Sequence, residues 1–479
     1  MTEQLKPLWI RRASLGIAVA IVPAVWAQQA GDAPASAPLP AGGRPLQAVL
    51  DDYQGLAEGS SLKLQNQQLE AARSHAALQA ARARFFPEVA LAARYTLTDG
   101  GRRITLPVGQ LLNPAYRTLN ELLVAQGEAA RFTDVGDVSF PLQLPREQDT
   151  RVTLRQPLYA PAISAGARAA SAQDEAAGYG LAAFRRELRR DVRLAYLNWL
   201  AARTAAGIVA DSQTLLQENL RVNESLLNNG KATPDAPLRA RAELLAVTQQ
   251  RSEAEHATAQ AQRYLNFLLN RDAEMALEPS AAPVLGVEET AGVLAGNGAA
   301  RPELAQLAAA QRAGEAQLQA AQAAKQPTLS LGVDAGTQGD EYRFGSGYNF
   351  VTGSLAVSWT LFDGGARTAA IDQARSASRQ LANQRALTEQ RIALEVAQAR
   401  DALQLAAESL QTASARADAA RAVFRIASRK RDEGMATPVE FLDARNALTS
   451  AELNLNLSRF DWLSRRTEYD YATASGELP

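Results

Sequence analysis

Two stretches far apart in the chain carry the same punctuation: NNGKATPDAPLRARAEL (228–244) and DEGMATPVEFLDARNAL (432–448). Gly230, Ala232, Thr233, Pro234, Ala240, Arg241 and Leu244 of the first match Gly434, Ala436, Thr437, Pro438, Ala444, Arg445 and Leu448 of the second. A glycine can take the left-handed conformation that ends a helix. A threonine followed by proline can open the next helix, and Glu440, three residues after Thr437, can close a capping box. Each stretch therefore reads as a sharp reversal between two helices. Two copies of one reversal mean an internal repeat, which constrains the fold before any single element does.

Each copy is preceded by the same order of elements. In the first, 46–86 reads as helix, broken near 55–60 and stopped by Pro87. EVALAARYTLT then alternates with period two: Val89, Leu91, Ala93, Tyr95 and Leu97 oppose Glu88, Ala90, Ala92, Arg94 and Thr96. The stretch 99–149 is expected to be a long loop, with one small helix near 119–124. TRVTLRQPLY alternates again, setting Val152 and Leu154 against Arg151, Thr153 and Arg155. From about Ala162 to Asn229 the chain is helical, with a four-three seam through Leu188, Val192, Ala195, Trp199, Ala202, Ala206, Val209, Gln213, Leu216, Leu220, Asn223 and Leu227. A shorter helix runs on from the reversal to about Asn270.

The second copy repeats this. A helix from Arg301 stops at Pro327. One strand sets Leu329, Leu331, Val333 and Ala335 against Ser330, Gly332, Asp334 and Gly336. Another sets Leu355, Val357, Trp359 and Leu361 against Ser354, Ala356, Ser358 and Thr360. A second long helix covers 364–433, with its seam through Ile392, Val396, Ala399, Leu403, Ala406, Leu410, Ala413, Ala417, Ala420 and Phe424, and a last helix runs from Pro438 to about Ser475. A seventy-residue helix is roughly 100 Å long. The helix before the strands and the one after the reversal, placed end to end, approach that length. Each repeat is thus expected to be a rod two helices wide, with a strand pair at one end and the reversal at the other.

The strands have the length a tilted strand needs to cross a bilayer. Four cannot close a barrel, because about eight is the minimum. A membrane reading therefore demands several copies; the other reading of the same alternation is a soluble sheet with one buried face. The first 27 residues read as an export signal, with Lys6, Arg11 and Arg12 before an apolar run and a cleavage site at Val25-Trp26-Ala27. Residues 28–43, rich in Ala, Pro and Gly, read as a flexible linker. The repeats are then bounded at 44–271 and 301–475, with a Pro- and Gly-containing connection at 272–300 and a tail at 476–479. The chain has no cysteine, hence no disulfide and no thiolate metal site, and its formal charge of −1 gives no bulk attraction to nucleic acid. His75 and His256 lack metal-ligand spacing. No phosphate loop, nucleophile elbow or triad stands out, so no enzyme, cofactor or metal is expected. Arg185, Arg186, Arg189, Arg190 and Arg193 read as a solvated helix face.

With the duplicated helix–strand–strand–helix order, the corner LAVSWTLFDGGART (355–368) and the reversal bearing Gly434, Leu442, Asp443 and Ala444, the chain resembles the TolC-like outer-membrane efflux protein family. In the first copy, QPLYAPAISAG (156–166) has Pro161 where the family usually has glycine. Pro87 and Pro327 are 240 residues apart but Tyr159 and Phe362 only 203, so the first inter-strand loop is 37 residues longer than the second. The resemblance implies a homotrimer with a 12-stranded β-barrel in the outer membrane, set on a long α-helical barrel in the periplasm. It implies a passive exit duct, in tripartite efflux or type I secretion, that works with a periplasmic adaptor and an inner-membrane pump. A soluble periplasmic coiled-coil scaffold or adaptor is the alternative.

The resemblance also implies that the reversals form the periplasmic tip. There Glu440 and Asp443 match the two acidic positions of a periplasmic gate, and Ala236 stands where the first repeat could carry another acid. Glu440 has a second reading as the capping partner of Thr437. The hairpin residues Gly230, Lys231, Ala232, Thr233, Gly434, Met435, Ala436 and Thr437 are the expected adaptor-docking residues, their small side chains going beyond what turn chemistry requires.

Overall fold

The computed structural model describes residues 44–231, 233–280, 296–435 and 437–474. The export signal, the linker, Ala232, Ala436, the middle of the connection and the tail lie outside the described residues. In the first repeat the helices are α1 (Leu46–Ser60), α2 (Leu62–Ala83), α3 (Val108–Ala125), α4 (Pro161–Asn228) and α5 (Asp235–Leu268). Its strands are β1 (Glu88–Leu97), β2 (Arg103–Leu106), β3 (Val138–Pro141) and β4 (Arg146–Tyr159). The second repeat has α6 (Pro302–Ala323), β5 (Thr328–Gly339), β6 (Asn349–Ser358), α7 (Ala366–Asp432) and α8 (Pro438–Thr473).

The heptad seams point inward. Leu188, Val192, Ala195, Trp199, Val209, Gln213, Leu216 and Asn223 of α4 are buried, as are Ile392, Val396, Leu403, Ala406, Leu410, Ala413 and Ala417 of α7, while Ala202, Ala206, Leu220, Leu227, Ala399, Ala420 and Phe424 are half-buried. The repeats are not two separate rods, however. α6 packs on α4 of the first repeat as well as on α7, and α8 packs on both long helices. One core therefore joins the halves, from Val49, Leu50 and Tyr53 through Tyr196 and Trp199 to Leu403, Leu455, Phe460 and Trp462. Within it the Tyr53 and Tyr196 rings lie 5.4 Å apart, and Tyr196 and Trp199 5.6 Å apart. The Tyr196 hydroxyl donates to Glu278 O and accepts from Ser280 N, which ties the start of the connection to this core.

Several sequence expectations need correction. The break in the first helix falls at Ser61, where the side chain accepts from Leu64 N and caps α2. The stretch 99–149 is no simple loop. α3 is an 18-residue helix containing Pro114, and β2 and β3 form a two-stranded ribbon. Asn113 and Asn120, two turns apart on α3, bind the backbone of Val135 and of Arg131 and Phe132, which stitches the returning chain to one helix face. The strand expected through Leu361 ends at Ser358 and starts earlier, at Asn349, paired with Thr337. Past Ser358 the chain turns to the helix. Trp359 Nε1 donates to Lys325 O, and Asp363 accepts from Gly365 N and Arg367 N ahead of α7.

The arginine run is not a solvated face. Arg185 is exposed, but Arg186 and Arg190 stack on the Tyr471 ring at 5.4 and 4.4 Å, and Arg301 joins them at 5.2 Å. Arg189 pairs with Glu58 at 2.5 Å, while Arg193 is half-buried near Asp470 and Asp51. These cations lock α4 to α1, α6 and α8. His75, 3.2 Å from Asp174, and His256 are exposed helix residues.

Candidate functional site

Two regions carry the geometry on which a function can rest: the four-stranded sheet and the paired helix reversals. The sheet has the order β1-β4-β5-β6, antiparallel throughout. Its register brings the alternating faces of all four strands into line. Leu91 lies opposite Val152, Val152 opposite Ala335, and Ala335 opposite Val351; Val89, Leu154 and Val333 form the next row, and Leu331 faces Leu355. One face is thus a mainly apolar band, interrupted by Thr150 and Thr337 in the row of Ala93 and by Gln148 beside Tyr95. The other carries Arg94, Glu147, Asp149, Arg151, Thr153, Arg155, Asp334, Thr352 and Ser354.

The apolar band is bare. Val89 is 63%, Leu91 74%, Val351 78% and Val357 70% exposed, and no described helix packs on the sheet. Aromatic side chains flank it. Phe85, Phe86, Tyr159, Trp359 and Phe362 are exposed at the end nearest the helices. At the far end Tyr95 stacks on Tyr342 of the β5–β6 loop, centroids 6.5 Å apart. Both outer strands, β1 and β6, have an unpaired edge.

At the opposite ends of the long helices the two reversals share one backbone. Gly230 has φ +69° and Gly434 φ +72°. In each, the glycine N–H donates to the carbonyl three residues back (Leu227, Arg431), and the next N–H to the carbonyl five back (Leu226, Lys430). Their side-chain chemistry differs. Thr437 accepts from Glu440 N, and Glu440 accepts from Thr437 N, so the expected capping box forms. In the first reversal α5 starts at Asp235 without a side-chain cap to the backbone. There the Thr233 hydroxyl binds the Asp235 carboxylate and holds it below its ordinary pKa.

Glu440 and Asp443 are both exposed and line one groove of about 460 Å³ with Val423, Ile426, Ala427, Lys430, Ala444 and Ala447. The structure brings these two acids together with a cation, Lys430, that the sequence did not single out. Of the docking residues, Gly230, Lys231, Thr233, Gly434, Met435 and Thr437 are exposed at the two reversals, while Ala232 and Ala436 lie outside the described residues. The hairpins are packed together through Leu442 against Val209, Leu216 and Val247, and through Asn446 Nδ2 donating to Glu243 at 3.5 Å.

Three features here escaped sequence reasoning. Asp235 supplies a first-repeat acid one residue before Ala236. Arg445 is 2% exposed although its counterpart Arg241 is exposed. Its Nη1 donates to Asn446, its Nε and Nη2 have no partner among the described residues, and burial lowers its pKa. The third is the cluster of ion pairs on the polar face of the sheet, Arg94 and Arg151 with Asp149 and Arg155 with Asp334. The alternation placed those side chains on the correct face but could not pair them. Among the described residues no cluster of acids, histidines or cysteines is arranged to hold a metal ion.

Residues 298–469 match the family model described as outer membrane efflux protein. No curated protein matches the chain. Among solved structures, the CmeC outer membrane channel of Campylobacter jejuni is 15% identical, covers 90% of this chain and 87% of its own, and superposes with a TM-score of 0.73. The outer membrane protein VceC of Vibrio cholerae is 17% identical over 90% and 97% of the two chains, TM-score 0.72. The open state of the MtrE outer membrane channel of Neisseria gonorrhoeae is 17% identical over 91% and 90%, TM-score 0.69. The second repeat thus matches the outer membrane efflux protein model in sequence, and both repeats share the fold of these outer-membrane channels.

Proposed function

We propose that three copies of this chain form the outer-membrane channel of a tripartite efflux or type I secretion system. The channel is a passive exit duct for substrates delivered by an inner-membrane pump through a periplasmic adaptor. One observation carries this reading: the sheet has a bare apolar band on one face, charges on the other, and two free edges. In a soluble scaffold such a band would be covered. In a bilayer it faces lipid, but the free edges then leave backbone groups unsatisfied, which hydrocarbon does not tolerate. Pairing β1 of each copy with β6 of the next removes every edge. Three copies give twelve strands, with apolar side chains outside and charges lining the lumen. A strand of ten residues tilted near 45° spans about 25 Å, the height of the apolar band in such barrels. The exposed aromatic side chains at both ends of the band fit the two interfaces with water.

In this reading residues 1–27 direct export, 28–43 link the signal to the first repeat, and 44–271 and 301–475 are the repeats joined by 272–300. The reversals form the periplasmic tip. Gly230, Lys231, Ala232 and Thr233, with Gly434, Met435, Ala436 and Thr437, meet the adaptor. Asp443 and Glu440 form carboxylate rings around the threefold axis, which attract cations to the constriction. Asp443 is the stronger member, because the Glu440 carboxylate is engaged by the backbone N–H of Thr437.

Fractionation tests the duct. The mature protein is expected to partition into detergent with the outer membrane and to run as a heat-modifiable trimer; a water-soluble monomer would overturn the reading in favour of the scaffold. Asp443→Ala tests the gate. Single-channel conductance in planar bilayers should rise, or block by divalent cations from the tip side should weaken; unchanged conductance and block would remove Asp443 from the gate.

A further inference from the structure

The charged face of the sheet carries three arginines and four acids, yet it does not present them equally. Arg94, Arg151 and Arg155 face Glu147, Asp149 and Asp334. The side chains of Arg94, Arg155 and Arg151 are 65%, 57% and 37% exposed. Those of Glu147, Asp334 and Asp149 are only 30%, 15% and 4% exposed. The acids are sunk against the wall and the guanidinium groups lie over them. Asp149 sits under Arg151, whose Nε donates to it at 3.0 Å, with Arg94 at 3.9 Å; Asp334 lies 3.5 Å from Arg155. The remaining acid on this face, Glu88, is at the helix end of the sheet, opposite Arg155.

Two glycines allow this arrangement. Gly336 stands opposite Arg151 and Gly332 opposite Arg155. A Cβ on Gly336 would come within 2.7 Å of Arg151 Cα, and one on Gly332 would collide with Arg155 Nη1 and lie 2.8 Å from Ser354 Oγ. Arg155 therefore lies across the neighbouring strand through a gap that no other residue would leave, and at Gly336 the strand of Arg151 itself comes that close.

We propose that the barrel lumen is an anion-selecting passage, set by rings of Arg94, Arg151 and Arg155 beside Gly332 and Gly336. This rests on the threefold barrel proposed above. A solute in the lumen meets the groups that protrude. The exposed guanidinium groups dominate the local potential, and a low-dielectric wall focuses it. Four residues of strand, tilted near 45°, place the Arg151 and Arg155 rings about 9 Å apart along the axis. The duct then has opposite electrostatic character at its two ends, carboxylates at the tip and guanidinium groups in the barrel. The favoured chemical class is an anionic solute or the anionic end of a zwitterion.

Sidedness of block separates the two ends. Tripolyphosphate added on the barrel side of wild-type trimers in planar bilayers should reduce current at lower concentration than when added on the tip side. The double variant Arg151→Gln, Arg155→Gln should raise the half-blocking concentration on the barrel side at least ~10-fold, the equivalent of about 1.4 kcal/mol. Its block by calcium from the tip side should stay unchanged. Arg94→Gln is the second variant should the double one fail to assemble, and should weaken barrel-side block in the same direction. Equal barrel-side block in wild type and variants, or barrel-side block by calcium but not by tripolyphosphate, would overturn the proposal. Heat-modifiable trimers that conduct but show no such sidedness would count against the rings alone. A wild-type protein that forms neither trimer nor channel would locate the failure in the barrel itself.

Discussion

The two helix reversals have one backbone and two chemistries. Gly230 and Gly434 differ by three degrees in φ, and the same two backbone hydrogen bonds close each helix. Yet Thr437 and Glu440 cap α8 reciprocally, while Thr233 spends its hydroxyl on Asp235. Arg445 is buried between helices and Arg241 points to water. A left-handed glycine suffices to fix the turn, so the turn tolerates different side chains around it. Equal backbone geometry therefore does not imply equal local stability, and the second reversal, which also carries Glu440 and Asp443, is the more elaborated of the two.

The largest expected contrast lies at the arginine pair. A buried guanidinium with two nitrogens unpartnered among the described residues carries a desolvation cost. Replacing it by an apolar side chain of similar length removes that cost. Arg445→Met should stabilise the start of α8 by about 1–4 kcal/mol, whereas Arg241→Met should stay within about 0.5 kcal/mol. Amide exchange across 438–448 and 235–244 in the assembled protein reads both. Faster exchange in Arg445→Met would mean that the guanidinium finds partners in the assembly that a single chain does not supply.

The reversals, the seams and the alternation of the strands were legible because each depends on neighbours a few residues away. Gly434, Thr437, Pro438 and Glu440 specify a turn among themselves, and Leu329, Leu331 and Val333 specify a face by parity alone. What escaped the sequence depends on partners far along the chain. The arginines at 186 and 190 look solvated until Tyr471, nearly 300 residues on, stacks beneath them. The extent of α3 depends on Asn113 and Asn120 catching a return segment that has no pattern of its own. The fate of Arg445 and of the acids under Arg151 and Arg155 is a matter of packing, which residue spacing does not encode. The proposed gate was legible only as two acids; the groove they share with Lys430, Val423 and Ile426 required the fold.

Capping should give a smaller contrast. Thr437→Ala removes an oxygen that accepts from Glu440 N and should cost about 1 kcal/mol at the start of α8. Thr233→Ala removes no side-chain bond to the helix backbone and should cost only a few tenths on the same scale. Exchange rates of the first-turn amides in the two variants provide the comparison. Equal losses would show that Thr233 caps α5 in the assembly.

The smallest effect separates the reversals by pH. The Asp235 carboxyl lies below its ordinary value in the folded chain, chiefly because the Thr233 hydroxyl donates to it. The unfolded value is about 3.9. A group whose folded pKa is depressed contributes stability that is present above the unfolded value and lost as pH falls through the folded one. The first turn of α5 should therefore keep its protection from neutral pH down to about pH 4 and lose part of it below. Asp235 is exposed, so water and salt screen the effect and it should be small. Thr233→Val removes the donor, brings the carboxyl back toward its ordinary value and should abolish the acid-induced change. Amide exchange of residues 235–239 at pH 5 and pH 3, in wild type and Thr233→Val, decides it after correction for intrinsic rates. A loss of protection of the same size in both would assign the acid sensitivity of this reversal to the Arg239 pairing of Asp235 at 3.5 Å rather than to its hydroxyl partner.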